Sequence, residues 1–201
     1  MVLNKITIEQ KVILMKDKIP ILEIVDKNDN LIDFGSKEYV HKEGVLHRAF
    51  SIFIYNCEDK TVLIQKRALS KYHSGGLWSN SCCSHKYQNE SWKESISRCL
   101  KDELSFFIND DKSEIIRFVG TFYYFSDYGY NKEHEIDHVF VIALDTAKLS
   151  QILPNPDEIM ELKWMTIGEI DMALKTKPSS FTSWFSEAYA YFRSAVLDGS
   201  R

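Results

Sequence analysis

The chain predicts one mixed α/β domain, and three observations predict it. Arg48–Asn56 (RAFSIFIYN) and Thr61–Lys66 (TVLIQK) are aromatic and β-branched runs separated by the polar Cys57-Glu58-Asp59-Lys60, the pattern of a hairpin. Ser91 and Glu94 form a capping-box pair ahead of Trp92, Ile96, Cys99 and Leu100 at helical spacing. Strand-like and helix-like segments then interleave to the C-terminus, which implies a mixed sheet covered by helices. With 201 residues and 44% hydrophobic content, the chain can bury one good core.

In order along the chain, Met1–Ile19 fits a helix and a strand equally and is taken as an N-terminal extension of the single domain, residues 1–201. Pro20–Asp26 (PILEIVD) is a strand, and Asn28-Asp29-Asn30 is a turn, because Asn and Asp hydrogen-bond their own backbone there. Leu31–Phe34 leads on to Lys37 and His41, and the hairpin follows. The capped helix runs to about Leu104, with Glu90 at its entrance and Glu103 near its end. Glu114–Phe125 and Asp137–Asp145 are two more strands, and Pro154 and Pro156 mark a loop. Glu161–Thr166 is a short strand. Ile167–Leu174 and Phe181–Leu197 are helices, the second rich in aromatic residues.

Composition excludes several classes of function. A formal net charge of −4 argues against a general nucleic-acid partner, which a basic surplus would mark. No apolar run approaches the roughly 18 residues of a membrane span. Lys5, Glu9, Lys11, Lys16, Asp17 and Lys18 interrupt the N-terminus, so it holds no secretory core segment. Cys57, Cys82, Cys83 and Cys99 show no paired framework spacing, and a reducing cytoplasm is expected. A monomer and a homodimer are both compatible with these features.

The chemistry centres on Leu77–His85 (LWSNSCCSH). In extended backbone, Cys83 and His85 share a face two residues apart, while Cys82 points the other way. His41 and His47 bracket Gly44 (HKEGVLH) and converge only where the chain folds back. Glu133-His134-Glu135 sets two carboxylates on one face, which is costly unless a cation or proton lies between them. Taken singly, these are surface imidazoles and a solvated charged turn. Taken together, three His and two Glu make a mixed nitrogen and oxygen site suited to Mn²⁺, Zn²⁺ or Fe²⁺. Lys37, Arg67 and Lys71 form a separate basic set able to receive phosphate oxygens, Arg as a fork and Lys as a point charge.

HKEGVLHRAFS, QKRALSKY, LWSNSCCSH, EHEIDHVF and FTSWF, in that order, resemble the type I isopentenyl-diphosphate isomerases, a branch of the Nudix fold. The resemblance covers roughly Ile21–Phe185. It implies a Nudix-type mixed sheet sandwiched by helices, and an enzyme interconverting isopentenyl and dimethylallyl diphosphate for isoprenoid biosynthesis through a tertiary carbocation. It implies His41, His47, His85, Glu133 and Glu135 as ligands of Mn²⁺ or Zn²⁺. Glu103 would help to hold a Mg²⁺ brought by the substrate diphosphate. Cys83 and Glu135 would be the acid/base pair on opposite faces of the allylic unit. Lys37, Arg67 and Lys71 would contact the diphosphate, and Trp184 would line the hydrocarbon pocket. The family tyrosine falls at Tyr123 or Tyr124, with Tyr124 favoured by the spacing of Phe122, Tyr124 and Ser126. The Nudix segment is degenerate: Glu90, Arg98 and Glu103 remain, Ser84 and Ser105 stand where Nudix hydrolases usually carry Gly, and Cys99 replaces the first Glu of their acidic cluster. Cys99 also stands where some isomerases have an Arg near the diphosphate, and Ser183 where Pro usually precedes the Trp. A Nudix hydrolase, betrayed by released phosphate, and a catalytically silent binding module are the competing readings.

Overall fold

The computed structural model describes residues 19–108 and 115–198. The ambiguous N-terminal segment therefore lies outside the described residues, Ile19 excepted. The described strands belong to one mixed sheet. β1 (Ile21–Val25) and β2 (Leu31–Ser36) form the first hairpin, closed by Asp26, whose Oδ1 accepts from Asn28 N at 2.8 Å and Asn30 N at 2.9 Å. α1 (Lys37–Glu43) follows directly, capped by Ser36, whose side chain accepts from Tyr39 N. This short helix and β2 have no signature in the sequence, since six or seven residues show too little periodicity to declare a type.

β3 (His47–Asn56) is the central strand. It pairs antiparallel with β4 (Thr61–Arg67) and with β6 (Cys82–His85), and parallel with β8 (Lys132–Leu144) along its whole length. β5 (Trp78–Ser79) and β9 (Ile159–Thr166) extend the sheet from β4, and β7 (Ile115–Asp127) pairs with β8. The expected hairpin is thus β3–β4, and the strand expected from Asp137 begins five residues earlier. Charged Glu133 and Glu135 hid that start, because a buried carboxylate looks like a loop residue in sequence.

Helices cover both faces. α2 (Trp92–Leu104) has the expected capping box, and Ile96, Cys99, Leu100 and Leu104 pack on Phe50, Ile52, Ile54, Leu63, Phe140 and Ile142. On the opposite face lie α4 (Ile167–Thr176) and α5 (Phe185–Asp198), with the short α3 (Thr146–Leu149) preceding β9. There Phe53, Val62, Ile64, Val139 and Val141 meet Ile170, Phe185, Ala188, Tyr189 and Phe192. Residues alternate along β3 and β8 between the two clusters, so both strands read as nearly continuous apolar runs. α5 begins at Phe185 rather than Phe181: Phe185 N donates to Thr182 O at 3.2 Å, so a turn at Thr182–Phe185 carries Trp184. No described helix is long and apolar enough to cross a membrane.

Candidate active site

Strand register assembles the site. His47 is the cross-strand partner of Glu135, and Ala49 lies between His85 on β6 and Asp137 on β8. Ser51 is opposite Cys83. Partners on adjacent strands, about 4.8 Å apart, share a face, and period-two alternation adds Glu133 to it. His41 arrives from the last turn of α1, where Gly44 adopts the left-handed conformation at φ 68° and reverses the chain. A Cβ at Gly44 would also lie 2.8 Å from the Lys132 side chain. One ligand atom from each of His41, His47, His85, Glu133 and Glu135 lies within 4.8 Å of all the others, and all five residues are buried.

The chemistry of this set fits a divalent cation. His41 Nδ1 lies 2.7 Å from the Lys37 carbonyl and His47 Nδ1 lies 2.8 Å from the Val45 carbonyl. Only a protonated Nδ1 can donate there, so each ring turns its Nε2 lone pair inward. His41 Nε2 is 3.2 Å from His85 Nε2, and buried His47 Nε2 has no hydrogen-bond partner, 3.4 Å from Glu135 Oε1. Such convergence of lone pairs and carboxylates requires a cation or bound protons. Burial pushes Glu133 up, but the imidazoles of His41, His73 and His85 outweigh it and hold it far below the carboxylate range. Glu135 is likewise lowered, by His47 and His85 against burial and the Glu133 charge. Burial lowers His85, whereas His41 is raised because Glu133 more than offsets its burial.

Three of the five, His85, Glu133 and Glu135, line a cleft that opens to solvent. Cys83, Tyr124 and Trp184 line it as well. Burial raises the Cys83 thiol well above its usual range, against the Arg67 charge, so the thiol keeps its proton. Tyr124 is the cross-strand partner of Glu135, and burial and the charges of Glu135 and Glu133 hold its hydroxyl protonated. Tyr123 instead faces outward, 49% exposed, against His134. Trp184 is buried, donates Nε1–H to Asn80 Oδ1 at 3.1 Å, and has the Arg67 guanidinium 5.4 Å from its ring centroid. Cys82 points into the α2 cluster on the other side of the sheet.

Lys37, Arg67 and Lys71 also line the cleft. Lys37 is lowered by burial and then by the Lys71 charge, as when cations gather where an anion is to be received. Buried Arg67 Nε has no hydrogen-bond partner, and Lys71 pairs with Glu158. Arg98 donates to Ser84 Oγ at 3.2 Å and to the His85 carbonyl at 3.0 Å while held by Glu90, tying α2 to the strand that carries His85. Cys99 is buried, its Sγ 3.6 Å from Glu103 Oε1.

Glu103 lines the cleft, its carboxyl raised from 4.5 to about 7, chiefly by burial and against the Gln65 hydrogen bond at 2.9 Å. The unfolded chain releases this proton near 4.5 and the folded chain near 7, so stability falls as pH rises between them. The loss is complete above that window and amounts to about 3 kcal/mol. Glu103→Gln is therefore expected to unfold at higher urea than the native protein at pH 8, metal-free, and at the same urea at pH 4.5. Equal midpoints at pH 8 would remove the claim that Glu103 is a strained, half-buried acid.

His73, Tyr72, Asp137 and Glu158 line the same cleft and were not singled out from sequence. Asp137 was accessible to period-two reasoning, since it follows Glu135 by two residues on one strand. His73 had only its place two residues after Lys71 as a signal, and the loop that brings it inward has no periodicity to read.

Comparison with known proteins agrees with this architecture. A model of the NUDIX domain matches residues 45–185. A crystal structure from Deinococcus radiodurans superposes with a TM-score of 0.62 at 17% identity, covering 86% of this chain and 98% of that one. A MutT protein from Methanosarcina mazei gives 0.55 at 17% identity over 74% of this chain and 94% of its own. The fold and the sequence together define a NUDIX-domain protein. Relatives at higher identity narrow the class. The isopentenyl-diphosphate Delta-isomerase of Serratia proteamaculans is 39% identical over 165 residues, 82% of this chain and 86% of that protein. Isopentenyl-diphosphate Delta-isomerase 2 is 37% identical in Photorhabdus laumondii over 83% of this chain and 89% of the relative, and 35% identical in Aromatoleum aromaticum over 81% of each. The chain belongs to the isopentenyl-diphosphate Delta-isomerase family.

Proposed function

We propose that the protein interconverts isopentenyl diphosphate and dimethylallyl diphosphate by protonation and deprotonation through a tertiary carbocation. The observation that carries this reading is a single cleft in which a protonated thiol, Cys83, and an ionised carboxylate, Glu135, stand with a buried indole and a basic set. The Cys83 S–H bond breaks as a C–H bond forms at the terminal alkene carbon, leaving the positive charge on the tertiary carbon. The C–H bond on the adjacent carbon then breaks, its electron pair closes the internal double bond, and Glu135 accepts the proton. By microscopic reversibility, Glu135 donates and the Cys83 thiolate accepts in the other direction. The Tyr124 hydroxyl holds Glu135 in position. Lys37, Arg67 and Lys71 anchor the diphosphate, so binding energy remote from the alkene orients it between the two groups. A divalent cation such as Mn²⁺ or Zn²⁺, held by His41, His47, His85, Glu133 and Glu135, would supply positive charge that keeps Glu135 oriented and acidic. Glu103 is placed to help receive Mg²⁺ carried by the diphosphate. All four cysteines are free thiols, as a reducing cytoplasm would keep them.

Proton NMR of isopentenyl diphosphate incubated with the purified protein tests the reading. Growth of dimethylallyl signals supports it; phosphate release without isomerisation would favour the hydrolase instead. Trp184 probes the cationic step. An aromatic face stabilises a desolvated cation by about 2 kcal/mol. Trp184→Leu is therefore expected to lose roughly 30-fold in turnover, and Trp184→Phe, which keeps a weaker π face, much less. A tertiary-amine analogue, cationic where the carbocation forms, should bind the native enzyme far more tightly than substrate, as transition-state mimics do, with the advantage shrinking in Trp184→Leu. An amine that binds no better than isopentenyl diphosphate would remove the carbocation from the mechanism.

A further inference from the structure

We infer that His73 is a positioning residue that aims Glu133 into the metal-ligand set. The two oxygens of the Glu133 carboxylate face different ways. Oε2 looks into the set, 3.5 Å from His41 Nε2 and 3.8 Å from His85 Nε2. Oε1 looks out of it, 2.8 Å from His73 Nε2, off the line of an ideal hydrogen bond. His73 stands outside the group whose ligand atoms converge, so it acts on the site through Glu133.

The His73 ring is itself held on several sides. It stacks on Tyr128 at 4.7 Å between centroids, and meets the Trp184 ring edge-on at 5.7 Å and the Tyr72 ring at 4.6 Å. Its Nδ1 is 3.2 Å from Ser74 Oγ, a hydroxyl that also reaches Tyr128 OH at 3.3 Å. With Ser74 donating to Nδ1, the ring proton sits on Nε2, the nitrogen 2.8 Å from the Glu133 carboxylate. A carboxylate ligand bound at one oxygen and steadied at the other cannot rotate away, and such outer partners affect metal affinity by about 10–100-fold. The same ring abuts Trp184, so the loop between β4 and β5 joins the metal set to the indole. This role rests on reading the five residues as a metal site, but it needs no isoprenoid chemistry.

The test is isothermal titration of metal-free protein with Mn²⁺ alone. His73→Phe keeps the stacked ring and removes the nitrogen facing Glu133; it is expected to weaken Mn²⁺ binding by about 10–100-fold. His73→Gln, which retains a side-chain N–H donor, is expected to recover part of that loss. In substrate assays kcat should fall more than KM changes, because the diphosphate contacts are elsewhere. Metal-free melting of each variant checks the fold, and if His73→Phe does not fold, the comparison of His73→Met with His73→Gln decides. Native Mn²⁺ affinity in the donor-free variant would overturn the inference. A native protein that binds Mn²⁺ without isomerising isopentenyl diphosphate would sink the proposed function and leave this assignment to the titration.

Discussion

Cys83→Ala is expected to lose at least ~10³-fold in isomerase turnover while keeping its fold and metal content. A positioned proton donor contributes about 10²–10⁴-fold, and alanine leaves that face of the allylic unit with no exchangeable proton. The thiol lines the cleft beside Arg67 Nη1, 3.9 Å away, and is only partly buried against the α4–α5 cluster, so its removal costs less packing than removal of fully buried Cys82. Cys82→Ala should show the reverse. Its side chain is fully buried among Ile52, Leu100 and Phe140, so truncation should cost about 1–2 kcal/mol of stability and leave turnover near native. Both quantities come from one pair of experiments, NMR turnover and urea unfolding. Full activity in Cys83→Ala would remove the thiol from the mechanism.

Metal removal should abolish activity, and its pH dependence follows from the residues themselves. A chelator should take turnover to background, and added Mn²⁺ or Zn²⁺ should restore it. The three imidazoles must be neutral to bind metal. Burial lowers His85, which favours its neutral form, whereas His41 is raised above 6.5 by Glu133 against its burial and so holds its proton to higher pH than a free imidazole. In the metal-free protein, the charged His41–Glu133 pair contributes stability fully below pH 6.5, and that contribution is lost as pH rises through the folded value of His41. Metal competes for the same nitrogen, so occupancy should fall with decreasing pH from a point above 6.5, with a proton released per metal bound in that window. Metal analysis after dialysis across pH 5–8 checks this. Undiminished turnover in exhaustively demetallated protein would refute it.

Much of this molecule is legible in one dimension because short-range rules decide it. The Ser91–Glu94 capping box starts α2 where local hydrogen bonds require, and the Asp26–Asn30 turn closes on its own side chain. Period-two alternation separates Cys82 from Cys83 without any knowledge of the rest of the chain, and the structure places them on opposite sides of the sheet. Two adjacent tyrosines are sorted by the same rule, Tyr124 into the cleft and Tyr123 toward solvent. The start of β8 was not legible, because Glu133 and Glu135 look solvated until a site accounts for their burial.

By itself, then, the sequence determined a mixed sheet covered by helices, the face each motif residue takes along its own strand, and the five ordered motifs that mark the family. Only the tertiary structure decided which motifs meet. The parallel β3–β8 register sets His47 opposite Glu135, and the antiparallel β3–β6 register sets Ser51 opposite Cys83. A slip of one residue in either pairing would turn that set of side chains to the other face of the sheet. Gly44 brings His41 back to β3, and the loop after β4 carries His73 against Glu133. Local propensity ends at each element's last hydrogen bond; contacts across 50 or more residues, such as His85 with Glu135, depend on how the two buried faces of the sheet are filled.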